Sequence, residues 1–275
     1  MTYASLMAHL ELGQSNSRLL RITADLAQRF DASVTGIVAC QPMPMVYADG
    51  FVPAALFEQD SEIIAKQMNE AEAEFRSELR ARAGRLAWRH SVMSGPLADY
   101  IASEARHADL IITGVVPKDL FDSSRSVNTG DLIMQAGRPV LVVPDATEQL
   151  KLERMVVGWK DSRETRRAIA DALPLLKQAS SVSVAEIALE EAMPAARAHV
   201  ADVVAWLQGH GIVAQPVTSP STGDDATGLY TIAQDLGADI IVAGAYGHSQ
   251  LREWVMGGVT RDFLLRAGCC SLLSH

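Results

Sequence analysis

The 275-residue chain is poor in cysteine and aromatic residues and carries no excess of positive charge. Its three cysteines are Cys40, Cys269 and Cys270, an odd number with two adjacent, and none stands in a C-x-x-C or Cys/His ligand spacing. Neither a disulfide framework nor a structural zinc site is therefore expected, and a reducing cytoplasm fits. The formal net charge is −9. An acidic surface repels phosphate backbones and anionic headgroups, so neither nucleic acid nor a membrane is an expected partner. No apolar run is long enough to cross a bilayer. Met1–Leu12 contains Glu11 and lacks a basic lead, and it reads as a first strand, not as a leader. Also missing are H-x-G-H, S-G-G-x-D-S and a Walker loop, and no nucleophile stands beside an evident base, so a dedicated enzyme is not expected. What the chain does have is a composition 48% hydrophobic and 21% charged, enough apolar material for a well-buried core.

The sequence repeats itself. Ala108-Asp109-Leu110-Ile111-Ile112-Thr113-Gly114 is echoed by Ala238-Asp239-Ile240-Ile241-Val242-Ala243-Gly244, an offset of 130 residues. A second pair follows at nearly the same offset: Gly130-Asp131-Leu132-Ile133 leading to Gly137 and Pro139–Val143, and Gly258–Leu264 leading to Gly268 and Cys269–Leu273. So long a period makes the unit a whole domain, not a solenoid turn. We place the two domains at 1–146 and 153–275, with the polar stretch Asp145–Glu153 as the linker.

Within each unit, short apolar runs alternate with helical spacing. Strands are predicted at Leu6–Leu10, Val34–Ala39, Trp88–Val92, Leu110–Thr113 and Pro139–Val143, with helices at Arg18–Phe30, Glu58–Gly84 and Leu97–Ala105. The second half repeats the order, with strands at Met155–Gly158, Val182–Ile187, Val213–Val217, Ile240–Ala243 and Cys269–Leu273 and helices at Arg163–Gln178, Ala195–Gln208 and Ala226–Leu236. The fold class predicted is α/β: two tandem doubly wound domains, each with a five-stranded parallel sheet covered on both faces. Arg76, Arg80, Arg82 and Arg85 interleave with Glu72, Glu74 and Glu78 and read as a solvated helix face.

The stretch from Gly244 to Thr260 carries the chemistry. Gly244 and Gly247 tolerate backbone angles closed to other residues and let a ligand approach the main chain. Gly257 and Gly258 open the next helix, where unpaired N–H groups favour an anion. In an open parallel sheet, ligands sit beyond the carboxyl ends of strands where strand order reverses, here expected between the first and fourth strands.

Gly244-x-x-Gly247, nine residues from His248 to Met256, then Gly257 resembles the phosphate loop of the universal stress protein family, which carries G-x-x-G, nine residues, then Gly and Ser or Thr. The likeness covers nearly the whole chain, and tandem members of that family exist. It implies an ATP-binding, cytoplasmic stress-response protein with Mg2+ accompanying the nucleotide. The implied nucleotide-binding residues are Gly158, Lys160, Asp161, Ile187, Gly244, Tyr246, Gly247, Gly257, Gly258, Val259 and Thr260. Gly258 stands where the family has a hydroxyl, keeping the amide and losing the hydroxyl; Thr260 carries one two residues later. Aligning Val157-Gly158-Trp159-Lys160-Asp161-Ser162 with the family's V-A-V-D-G-S puts Gly158 in the first strand and Lys160 where an Asp holds the ribose. Lysine cannot accept from a ribose hydroxyl, although Asp161 follows it. Ile187, ending the second strand, would lie against adenine. Tyr246 and Trp254 either wall this pocket or pack on neighbouring helices, and His248 reads as an exposed loop residue.

The first half departs further. Pro117 replaces the second glycine, Asp131 takes the hydroxyl position, and Glu11 ends the first strand. This copy is expected to stay empty and to pair with the second as an intramolecular pseudo-dimer, with a homodimer of the whole chain left open. The apolar loop Gln41–Pro53 reads as packed over its own domain or as a partner surface. Two other functions stand beside ATP binding: a non-nucleotide structural or signalling stress protein, which Gly258 and Lys160 favour, and a slow ATPase.

Overall fold

Runs of Val, Ile, Leu and Ala form strands that alternate with amphipathic helices along the chain, and the chain falls into two compact units, Tyr3–Ala136 and Gly137–His275. The structure, a computed structural model, describes residues 2–43, 54–115, 125–245 and 269–275. The predicted apolar loop is thus described only to Met43.

The first unit runs β1 (Ser5–His9), α1 (Ser17–Phe30), β2 (Ser33–Cys40), α2 (Ala54–Leu79), β3 (Leu86–Val92), α3 (Leu97–Glu104), β4 (Leu110–Gly114) and α4 (Thr129–Ala136). Its strands are parallel in the order β3-β2-β1-β4. Leu6, Met7, Ile37, Leu110 and Ile111 are wholly buried because helices cover both faces of the sheet. Gly36 in β2 lies under Trp88 and Phe75; a Cβ there would come within 2.7 Å of the indole. A larger residue at that position would push the tilted Phe75–Trp88 pair, 5.5 Å between ring centroids, off the sheet.

The second unit contains β5 (Val140–Val143), β6 (Arg154–Trp159), α5 (Arg163–Asp171), α6 (Leu173–Leu176), β7 (Ser181–Ala188), α7 (Met193–Gly209), β8 (Ala214–Pro220), α8 (Asp225–Asp235), β9 (Ile240–Gly244) and β10 (Cys270–Ser274). Five strands are parallel in the order β10-β9-β6-β7-β8. β5, the fifth strand of the first repeat in sequence, groups with this unit: it lies antiparallel to β10, with Leu141 opposite Leu272.

Both units take the same path. The chain steps outward from β1 to β2 to β3 and returns to β4, and likewise from β6 to β7 to β8 before returning to β9. The predicted reversal between first and fourth strands is present in each. A shared staple fixes the start of each first strand. Asp109 Oδ2 accepts from the N–H groups of Ala4 (2.8 Å) and Ser5 (3.0 Å). Asp239 Oδ2 accepts from those of Glu153 (2.7 Å) and Arg154 (2.9 Å). These aspartates lie in the very segments that reveal the repeat, and hydrogen bonds to a charged acceptor are the strong kind.

Two predicted helices differ from those observed. Arg163–Gln178 is not one helix: it breaks at Ala172, because Pro174 has no N–H to continue the ladder and its ring excludes the carbonyl of Ala170. Helix α2 ends at Leu79, short of Gly84, so Arg82 lies beyond it and pairs with Asp25. Of the predicted solvated face, Glu72–Arg76 forms an exposed i,i+4 pair at 2.7 Å, while Glu74 turns to accept from Ser15 Oγ and the Asn16 N–H. Among the described residues no helix is long and apolar enough to cross a membrane.

Candidate functional site

Parallel strands bring all their carboxyl ends to one edge, so Gly158, Lys160 and Asp161 at β6, Ile187 at β7 and Gly244 at β9 share the edge where strand order reverses. Tyr246, Gly247, Gly257, Gly258, Val259 and Thr260 lie outside the described residues, as do His248 and Trp254.

Three glycines of this edge are dictated by packing. A Cβ on Gly244 would stand 2.5 Å from the Thr165 nitrogen and 2.6 Å from the Glu164 carbonyl carbon, so β9 runs directly under the first turn of α5. A Cβ on Gly158 would meet Leu229 Cδ2 at 2.5 Å, and one on Gly228 would meet Ile187 Cδ1 at 2.9 Å. Helix α8 therefore roofs β6 and β7, with Ile187 buried beneath it. Gly244 was singled out above as a position for ligand approach; its close neighbour among the described residues is protein backbone.

The polar groups at the end of β6 are tied to the start of α8. Lys160 Nζ stands 3.4 Å from Asp225 Oδ2, and Ser221 Oγ donates to Asp225 Oδ1 at 2.6 Å. Asp224 caps α8, accepting from the Thr227 N–H at 3.1 Å, so the first turn of this helix is fixed. Ser162 likewise caps α5, accepting from the Thr165 N–H. Asp161 faces Arg166 at 3.2 Å with both side chains 56% exposed, a solvated pair of small energetic worth.

On the opposite face of the sheet, Trp159 and Glu186 are register partners. Both are buried, and neither Trp159 Nε1 nor Glu186 Oε2 has a partner among the described residues. Burial raises the Glu186 carboxyl above the usual carboxylate range, against the opposing pull of His199, 3.3 Å away, and of Lys160. Among the described residues no three His, Cys, Asp or Glu side chains gather to hold a metal ion. The cysteines are buried; burial pushes Cys269 up to about 11 and Cys270 to about 12, which keeps them as inert thiols.

The corresponding edge of the first unit is built differently. Register with the fourth strand aligns Leu6 with Met155, which sets His9 against Gly158 and Glu11 against Lys160. His9 is 2% exposed and its Nδ1 lies 2.9 Å from Thr113 Oγ1 and 3.8 Å from Glu11 Oε1. Burial lowers His9 to about 4 and raises Glu11 to about 8, so at neutral pH this contact joins a neutral imidazole to a neutral acid. The Glu11 carboxyl also accepts from the backbone of Val127, just ahead of α4. Asn128 Oδ1 accepts from the Gly130 N–H at 2.9 Å and that of Asp131 at 3.3 Å. Donors that could hold a phosphate at the start of α4 are thus occupied by the protein's own side chains. Nearby, Arg125 pairs with Asp60 at 2.9 Å and donates to Gln67 at 2.5 Å.

Sequence reasoning noted Glu11 as the end of a strand and passed over His9 and Asp225. The signal for the first two was a pair of polar residues closing an apolar run. No local signal joins Asp225 to Lys160, which lie 65 residues apart.

No protein-family model matches the chain, and no curated protein matches it. Solved structures do. A universal stress protein from Archaeoglobus fulgidus DSM 4304 superposes with a TM-score of 0.76 at 13% identity, over 98% of this chain and 95% of that one. A functionally unknown protein from Pseudomonas aeruginosa PAO1 gives 0.63 at 15% identity, over 99% and 92%. A third, provisionally named a universal stress protein and from Pseudomonas aeruginosa UCBPP-PA14, gives 0.64 at 14% identity, over 99% and 93%. The chain therefore has the fold of universal stress proteins, in tandem and over its whole length.

Proposed function

We propose that this chain is a tandem universal stress-type protein, its repeats spanning 1–146 and 153–275, that binds one ATP in the second repeat and acts in a cytoplasmic stress response through conformation or partners. The reading is carried by one observation: the G-x-x-G segment begins at Gly244, on the strand that pairs with β6 at the reversal of strand order. The loop through Thr260 would supply backbone amides to the phosphates, with Mg2+ accompanying them. Lys160 and Asp161 would lie across from it and Ile187 would border the base. The first repeat stays empty because Glu11 and Asn128 already use its donors. Among the described residues no general base is evident near Lys160 and Gly244, and the expected ATP turnover is absent or very slow. Titration calorimetry should give one ATP per chain, and Gly247→Val should weaken it by placing a side chain where phosphates approach the backbone. Binding that survives Gly247→Val and is lost on changes around Gly114 would overturn the assignment.

A second reading, a signalling protein without nucleotide, draws on the engagement of Lys160 by Asp225 and on the packing role of Gly244. Mass spectrometry of gently purified protein separates the two: retained nucleotide supports the first, an empty stable chain the second.

A further inference from the structure

Lys160 creates a chemical problem for a ribose site. The cis-diol of a ribose is best held by an acceptor, and lysine has none. The structure places an acceptor beside it all the same. Asp225, the first residue of α8, reaches back over the carboxyl edge until its Oδ2 is 3.4 Å from Lys160 Nζ. Its other oxygen accepts a hydrogen bond from the Ser221 hydroxyl at 2.6 Å. Asp225 sits one turn before Gly228 and Leu229, which pack on Ile187 and over Gly158, so the same helix that roofs β6 and β7 delivers the carboxylate. The side chain remains accessible, at 29% exposure, where Asp60 in the Arg125 pair of the first unit is closed off at 8%. Ser221 and Lys160 each use one lone-pair direction of a carboxylate with about four, which leaves acceptor capacity facing outward.

Resting on the nucleotide reading, we propose that Asp225 is the ribose-recognising residue of the second repeat, with Lys160 as its positioning residue: the carboxylate that β6 lacks is supplied from α8 and held in place by the lysine that replaced it. The ligand class is then a nucleotide with free 2′ and 3′ hydroxyls, both donating to Asp225.

The test compares ATP with 2′,3′-dideoxy-ATP by calorimetry on the full chain. Wild type should prefer ATP by about ten-fold, the ratio expected for losing hydrogen bonds to a charged acceptor. Asp225→Asn should lose that preference while still binding both. Lys160→Asp in the Asp225→Asn background should restore it, since a carboxylate returns to the end of β6. Ser221→Ala, a milder change, should lower the preference part-way, with folding checked by circular dichroism. Equal binding of the two nucleotides by wild type, or an undiminished preference in Asp225→Asn, would overturn the inference while leaving ATP binding intact. Binding of neither nucleotide by wild type overturns this inference and the nucleotide reading together.

Discussion

In the first repeat the polar residues at the end of the first strand turn inward, His9 onto Thr113 and Glu11 onto the lead-in of α4. In the second they turn outward, Lys160 to Asp225 and Asp161 to Arg166. The strand order and the aspartate staple are the same in both. The turn after the strand is not. α5 starts at Arg163, three residues past Lys160, whereas α1 starts at Ser17, six residues past Glu11. The shorter turn presses α5 onto β9 and demands glycine at 244, while among the described residues a Cβ on Gly114 would meet nothing within 4 Å. One backbone plan therefore hosts a closed acid–imidazole cluster in one copy and an open carboxylate–ammonium edge in the other.

The sharpest way to break this comparison is to alter the matched glycines. Gly244→Val should destabilise the second unit by about 2–3 kcal/mol, because the new side chain collides with backbone that cannot move aside. Gly114→Ala should shift stability by no more than about 1 kcal/mol, with a gain as reasonable as a loss. Urea unfolding of the two variants measures the contrast, and equal effects would erase it.

The staples should respond alike. Asp109→Ala and Asp239→Ala each leave two strand-start N–H groups without their acceptor, at a cost of about 1.5–3 kcal/mol apiece. Hydrogen exchange at Ser5 and at Arg154 reads the two sites separately. A large loss in one copy and none in the other would argue against a shared role.

The buried cluster predicts a pH dependence confined to the first unit. Glu11 titrates near 8 when folded and near 4.5 when unfolded, so between those values the folded chain holds the extra proton and stability falls as pH rises. His9 titrates near 4 folded and 6.5 unfolded, so across that window the unfolded chain holds the proton and stability rises with pH. The two trends offset each other between pH 4.5 and 6.5, and Glu11 acts alone from 6.5 to 8. Over that upper interval the first unit should lose about 1–2 kcal/mol. Glu11→Gln should flatten the curve, followed by exchange of the β1 amides. A curve unchanged by that substitution would remove Glu11 as the cause.

The smallest effect expected is at Asp161→Asn. Its pair with Arg166 is solvated, so stability should change by less than about 0.5 kcal/mol.

The sequence made the alternation of strands and helices readable because both signals are local: apolar runs of four to six residues, and apolar residues three and four apart in α1 and α5. Pro174 carried its own warning and was outweighed by that spacing. The staple aspartates were visible as repeated residues, yet their role depends on strands brought together by topology, which no window of sequence contains. The same holds for Lys160 and Asp225. Gly244 was legible as glycine but not for its reason, since steric demand from α5 and access for a ligand select the same residue. Most of the phosphate loop lies outside the described residues, so its reading continues to stand on the sequence alone.

The antiparallel pairing of β5 with β10 has a consequence for how the chain folds. Val140–Val143 is a fully buried Val-Leu-Val-Val strand whose partner, Leu272 opposite Leu141, lies about 130 residues further along the chain. Until β10 arrives, that edge offers unpaired N–H and C=O groups on an apolar strand, the pattern that recruits strands from other molecules. Closing so long a loop is also slow. Aggregation during refolding should therefore depend on how quickly β10 is delivered, and a four-residue segment in the middle of the chain becomes its most exposed point in time.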